Sequence, residues 1–282
     1  MVTIGIVSPG AMGSALGRAW TAGGARVVAT VEGRSERTRG LAHGLELRPS
    51  LADAVGEADV VVCICPPGAA PGVLDDVVAA AGRHRPLVAD LNAVSPDTMS
   101  VLERRATDAG FSLIDGSVSG GPPAPGGDTM VYLSGAEARV LADLPADGLR
   151  TRVVGDRVGT ASAVKMCTAS VYKGTTAVWA QALQTAYTLG VLDVVLEDLA
   201  EEHPDEAARA ARRIAMSASK AHRYVDEMEQ IARTQGAAGA SAELFEGMAA
   251  VYRRLAATEL GSLAPEEAAA LSELEDVLRR LR

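Results

Sequence analysis

The sequence predicts an α/β domain on a mostly parallel sheet, followed by an all-helical domain, with a long helix joining the two. Two observations carry this prediction. Up to about Gly155, short β-branched runs alternate with Ala- and Gly-rich helical stretches. Parallel neighbours need crossover connections of that kind. After Gly155 the strand signals stop and only helical patterning continues. The domains are therefore expected at residues 1–156 and 157–282.

The strands are expected at Val2–Val7, Arg26–Val31, Asp59–Cys65, Pro86–Leu91, Ser112–Val118, Thr129–Leu133 and Arg152–Val154. The unbroken apolar character of Val60–Cys65 fits a central strand covered on both faces. Val158–Thr188 reads as one long helix with Gly174 inside it. Further helices are expected at Leu192–Glu201, Asp205–Ser217, Lys220–Thr234, Ala242–Ala257 and Pro265–Leu281. Pro265 suits a first helical position, and Glu266 and Glu267 suit the positive end of the helix dipole.

Composition narrows the function classes. The 282 residues are 48% apolar and 22% charged, the balance of a globular chain, and only 3% aromatic, so Ala, Val and Leu must fill the core. A net charge of −9 with scattered basic residues argues against nucleic-acid binding. The apolar start breaks at Ser8-Pro9 and no membrane-length apolar span follows, so a cytoplasmic protein off the membrane is expected. Cys63, Cys65 and Cys167 form no disulfide framework. Cys63 and Cys65 read as small apolar residues of a strand, and no metal site is expected. His43, His84, His203 and His222 all lie in polar contexts and are expected on the surface.

The run Gly5-Ile-Val-Ser8-Pro9-Gly10-Ala11-Met12-Gly13 leaves the first strand and enters a helix. That is the context of a dinucleotide fingerprint, with Gly10 open to the pyrophosphate and Gly13 allowing close helix–strand packing. Ser8 stands where the fingerprint has its first glycine. The first domain is thus expected to be a Rossmann domain, with Ser8, Pro9, Gly10, Ala11, Met12 and Gly13 holding the cofactor. The second strand ends Val31-Glu32-Gly33-Arg34-Ser35. An acid there suits the ribose diol of NAD, whereas Arg34 with Gly33 and Ser35 suits the extra phosphate of NADP. NADP(H) is favoured over NAD(H). Cys65, Pro66 and Asn92, at the ends of two later strands, complete the expected cofactor residues.

Four segments resemble the β-hydroxyacid dehydrogenase superfamily, which includes 3-hydroxyisobutyrate and 6-phosphogluconate dehydrogenases. They are Gly5–Gly13, Asp90-Leu-Asn92-Ala93-Val-Ser95-Pro96, Asp115-Gly-Ser117-Val118-Ser119-Gly120-Gly121 and Gly159-Thr-Ala161-Ser-Ala-Val-Lys165-Met, in the family's order and spacing. The resemblance implies a nucleotide loop, a motif beside the nicotinamide, a substrate loop (Ser119, Gly120, Gly121) and a catalytic helix bearing Lys165. The last third, with Val171-Tyr-Lys173-Gly174 and Arg223-Tyr-Val-Asp-Glu227-Met228-Glu-Gln-Ile231, is similar to a bacterial phosphogluconate-dehydrogenase-like branch with a C-terminal domain of unknown function.

Hydride transfer needs a group to give or take the hydroxyl proton. Lys165 stands among Ala, Val and Met, where desolvation lowers a lysine pKa toward working pH. The chain has only three lysines, Lys165, Lys173 and Lys220, and two fall on this one helix. The family's usual asparagine four residues after its lysine is Ala169 here. Lys165, Ala169 and Lys173 share a helix face at i, i+4 and i+8, and two lysines there would make a positive pocket for an anionic substrate. Lys173 is therefore an expected substrate contact. The expected activity is oxidation or reduction of a small hydroxy acid or carbonyl. Imine reduction on the same scaffold and a non-catalytic dinucleotide-binding protein are the alternatives. The long helix carries small residues on most faces, and the resemblance implies that such a helix packs against a second subunit, so a homodimer is expected.

Overall fold

A computed structural model describes all 282 residues. The chain divides into two compact units, Met1–Met166 and Cys167–Arg282. The first holds strands β1 Thr3–Val7, β2 Arg26–Thr30, β3 Glu46–Arg48, β4 Val60–Cys63, β5 Leu87–Asp90, β6 Leu113–Ser119, β7 Thr129–Ser134 and β8 Leu149–Gly155. Its helices are α1 Ala11–Ala22, α2 Glu36–Leu41, α3 Leu51–Gly56, α4 Ala70–Ala81, α5 Pro96–Asp108 and α6 Ala138–Ala142. Helix α7, Thr160–Leu189, runs across the division.

The eight strands form one sheet in the order β3-β2-β1-β4-β5-β6-β7-β8. All pairs are parallel except β6–β7. The strand order reverses direction at β1–β4, the switch point outside which ligands bind in such sheets. All five residues of β1 and all four of β4 are buried, as expected of strands covered on both faces. Alternation sorts their side chains: Ile4 and Ile6 join Leu16 and Trp20 of α1 on one face, while Val7 and Val61 join Leu74, Met99 and Leu102 on the other. Each fully buried leucine contributes about 1.5–3 kcal/mol of transfer free energy.

One register row matters for function. Val7, Cys63, Asp90, Asp115 and Ser134 are direct partners across five adjacent strands. Two aspartates and a serine thus stand side by side near the carboxyl ends of the parallel strands, about 4.8 Å apart per strand.

Strand β3 was not expected; three residues long, exposed and at the sheet edge, it lacks the apolar run that marks a strand. Its charges form a network in which Glu46 and Glu57 share Arg26 and Arg48.

The second unit continues with α8 Leu192–Glu202, α9 Pro204–Ala218, α10 Ala221–Ala237, α11 Glu243–Ala256, α12 Glu259–Ser262, α13 Pro265–Ala269 and α14 Leu274–Arg279. The single helix expected over Pro265–Leu281 is broken into α13 and α14. Both pieces pack on α9, burying Ala268 from one and Val277 and Leu278 from the other. On a continuous helix Ala268 and Val277, nine residues apart, would face roughly opposite sides. The break at Leu271–Glu273 lets both face α9.

Candidate active site

The loop after β1 has the geometry of a phosphate cradle. Ser8 sits at φ +64°, the only non-glycine residue in the left-handed region. The backbone here asks for the glycine that the fingerprint normally supplies. Its carbonyl accepts from the Gly10 N–H at 2.7 Å, while its hydroxyl is buried with no hydrogen-bond partner. A Cβ on Gly13 would lie 2.9 Å from the Ser8 carbonyl oxygen and 3.0 Å from Ile64, so α1 can approach the sheet only through a glycine. A Cβ on Gly10 would meet nothing within 4 Å, which leaves its backbone open to a ligand. Helix α1 begins without a side-chain cap. Its first N–H groups are thus available to an anion. The orphaned hydroxyl, open Gly10 and uncapped helix fit a dinucleotide pyrophosphate. Ser8→Gly is expected to leave stability at or above wild type by up to about 1 kcal/mol, and Ser8→Val to lower it by about 1–2 kcal/mol, in urea denaturation.

At the end of β2 the two rival residues are placed differently. The Glu32 carboxylate accepts from the Leu51 N–H at 3.2 Å, at the start of α3. Arg34 is exposed, and its backbone N–H closes a turn onto Val31. The Ser35 hydroxyl caps α2 by accepting from the Thr38 N–H. Arg34 also lies close enough to Cys65 for its charge to favour the thiolate, although burial dominates and holds that thiol at about 12.

Asn92 is buried and fully engaged. Its Oδ1 accepts from the Cys65 N–H at 2.6 Å, and its Nδ2 donates to Asp90 Oδ2 at 2.9 Å. The side chain therefore ties the ends of β4 and β5 together and fixes its own amide orientation. Asp90 also accepts from the Asn92 backbone N–H. Burial pushes the Asp90 carboxyl up to about 7, opposed by the Asn92 hydrogen bonds and assisted by neighbouring Asp115. Ser95 caps α5, its Oγ accepting from the Thr98 N–H at 3.1 Å.

Lys165 lies in the second turn of α7. It is partly buried, and its ammonium donates to the Val118 carbonyl at 2.7 Å. Burial lowers its pKa from the ordinary lysine value. Val118 directly precedes Ser119, Gly120 and Gly121, so the lysine anchors at the root of the expected substrate loop. Ser119 ends β6, and Gly120 and Gly121 leave it into the exposed proline-rich turn. The Thr129 hydroxyl donates to the Gly121 carbonyl at 3.0 Å and steadies that turn.

Asp115, quoted in the motif but given no task, is the residue sequence reasoning missed. It is wholly buried and accepts from four donors: Ser134 Oγ, Ser162 Oγ and the N–H groups of Gly159 and Ser162. The signal was a carboxylate inside an apolar strand with nothing local to pair with it.

Lys173, the other expected substrate contact, lies in the helical unit. It forms an ion pair with Glu227 and lies 4.1 Å from the centre of the Tyr224 ring. Tyr224 stacks edge-on with Tyr252, whose hydroxyl donates to the Lys173 carbonyl. Its charge is thus balanced within the helical unit. Met228 and Ile231 are fully buried core residues. All four histidines are exposed, as expected.

Comparison with known proteins agrees with this geometry. Residues 3–145 match the family described as the NAD binding domain of 6-phosphogluconate dehydrogenase, and residues 186–255 match a domain of unknown function, DUF1932. An uncharacterized 28.5 kDa protein of Methanothermus fervidus is 29% identical over 61% of this chain, and the match spans 66% of that relative. The structure of the conserved protein MTH1747, of unknown function and described as similar to 3-hydroxyacid dehydrogenases, is 26% identical with a TM-score of 0.65, over 93% of this chain and all of that one. The 3-hydroxyisobutyrate dehydrogenase of Mycobacterium tuberculosis shares the fold at 22% identity and a TM-score of 0.68, over 100% of this chain and 99% of that one. The two matched domains lead to one assignment: this chain belongs to the β-hydroxyacid dehydrogenase-like family, with a 6-phosphogluconate-dehydrogenase-type NAD-binding domain and a C-terminal DUF1932 domain.

Proposed function

We propose that the protein is an NADP(H)-dependent oxidoreductase that transfers hydride to or from a small hydroxy acid or its carbonyl partner, with Lys165 as general acid/base. The observation that carries this reading is Lys165 itself, a partly buried lysine of lowered pKa anchored to Val118 beside the Ser119-Gly120-Gly121 loop. When bound, the nicotinamide supplies or accepts the hydride. In the oxidative direction the neutral Lys165 Nζ takes the hydroxyl proton; in the reductive direction its ammonium returns a proton to the carbonyl oxygen. The backbone N–H groups of Gly120 and Gly121 suit a substrate carboxylate.

The cofactor would be held by Ser8, Pro9, Gly10, Ala11, Met12 and Gly13 at the pyrophosphate, with Cys65, Pro66 and Asn92 further along the strand ends. The position of Glu32, turned to α3, and of exposed Arg34 supports NADP over NAD. Three free cysteines suit a reducing cytoplasm. The assay is nicotinamide absorbance with a panel of small hydroxy acids and their carbonyl partners. Turnover present in wild type and lost in Lys165→Ala is the expected result. Turnover that survives the substitution would sink the acid/base assignment.

The homodimer is supported by one stripe on α7. Val171, Val178 and Leu189 are 63%, 56% and 70% exposed. Spaced by seven and eleven residues, they fall within about 20° of one another around the helix. Val178→Glu is expected to turn a dimer into a monomer by light scattering. A wild-type monomer would remove the dimer from this account.

A further inference from the structure

We infer that Asp115 is the positioning residue of this site: from strand β6 it caps the first turn of α7 and thereby sets where the Lys165 ammonium lies. The inference rests on the reading of Lys165 given above.

A helix begins with N–H groups that have no partner inside it, and the usual remedy is a side chain just before the helix. Here the residues before α7 are Val158 and Gly159, which carry no acceptor. The cap comes instead from the sheet, more than forty positions upstream. Asp115 Oδ2 accepts from the Gly159 N–H at 2.9 Å and the Ser162 N–H at 3.0 Å, and Oδ1 accepts from Ser162 Oγ at 2.7 Å. Ser134, the direct register partner of Asp115, donates its hydroxyl to Oδ2 at 2.9 Å. The same Ser134 oxygen accepts from the Ala161 N–H at 3.0 Å.

The rest of β6 continues the clasp. Ser117, two residues on and therefore on the same face, donates to the Ala161 carbonyl at 2.9 Å. Val118 receives the Lys165 ammonium. Residues 115, 117 and 118 of one strand thus hold Gly159, just before α7, and Ala161, Ser162 and Lys165 within it. An α-helix turns about 100° per residue, so a slip of a single position at the cap would swing Nζ more than a quarter turn away from Val118. Asp115 is wholly buried, with three donors on Oδ2 and the Ser162 hydroxyl on Oδ1, so it acts through the helix rather than by touching substrate.

The test reads Lys165 directly and needs no substrate. Protein labelled with 13C,15N-lysine gives three Cε–Nζ signals, assigned by Lys165→Arg and Lys220→Arg variants, whose titration is followed by NMR. In wild type the Lys165 signal is expected to titrate below the ordinary lysine value of about 10.4, because burial disfavours the ammonium. In Asp115→Asn its midpoint is expected to rise by about one pH unit as the helix start loosens and water reaches Nζ. Loss of a nearby negative charge alone would move it the other way, so an upward shift identifies displacement. Ser162→Ala, which deletes one contact, should shift it upward by less, and this milder variant carries the test if Asp115→Asn does not fold. Leu141→Ala, a core truncation elsewhere, should lower stability and leave the signal in place. A depressed wild-type midpoint that neither variant moves would overturn the positioning role and leave Lys165 as acid/base. An ordinary midpoint in wild type would overturn both.

Discussion

Lys165→Ala is expected to lower kcat about 10²–10⁴-fold, the contribution of a positioned acid or base, while NADPH affinity stays within about twofold. The separation follows from geometry. The ammonium contacts Val118 at the root of the proposed substrate loop, whereas the proposed phosphate cradle runs from Ser8 to Gly13 after β1. Burial lowers the Lys165 pKa, and the sign of the pH dependence follows. Oxidation needs the neutral amine, so its kcat/KM rises as pH rises through that lowered pKa. Reduction needs the ammonium, so its rate falls over the same range. Lys165→Arg keeps the charge but cannot give up its proton near neutral pH, and should be as inactive in oxidation as the alanine variant. Steady-state rates against pH for the three proteins check this. An unchanged profile in Lys165→Ala would assign the proton transfer elsewhere.

Arg34→Ala is expected to weaken NADPH binding roughly 10- to 100-fold and to leave NADH binding within about twofold. A charge-assisted hydrogen bond to a phosphate is worth about 1.5–3 kcal/mol, and every 1.4 kcal/mol is a factor of ten. The effect falls on one cofactor only, because only NADP carries the extra phosphate. Glu32 does not compete in the present geometry, since its carboxylate accepts from Leu51. Glu32→Gln should therefore change NADPH affinity little. Equal losses for both cofactors in Arg34→Ala, measured by fluorescence titration, would show Arg34 to be structural.

The elements whose signals are local were legible in the sequence. The β1 loop and the buried run of β4 each declare themselves within a dozen residues, and α7 by a helical pattern that runs on without a break. The burial of Lys165 was legible because the lysine stands among apolar neighbours on its helix. Long-range pairing was not legible. The Asp115 cap needs Ser134 from β7 and Ser162 from α7, brought together only by the register of the sheet. The Lys173–Glu227 pair joins positions 54 residues apart, so the helix-wheel argument saw the lysine and not its counter-charge. The break between α13 and α14 was hidden for a related reason. Helical propensity continues through Leu271, but packing on α9 decides which residues must face inward.

Titration of the purified protein with NADPH, and separately with NADH, by nicotinamide fluorescence tests the central claim most directly. The account predicts saturable binding of both, tighter for NADPH. Tighter binding of NADH would overturn the role of Arg34 and shift the ribose contact to Glu32. Binding of neither would contradict the whole assignment, since the Ser8 loop would then hold no dinucleotide.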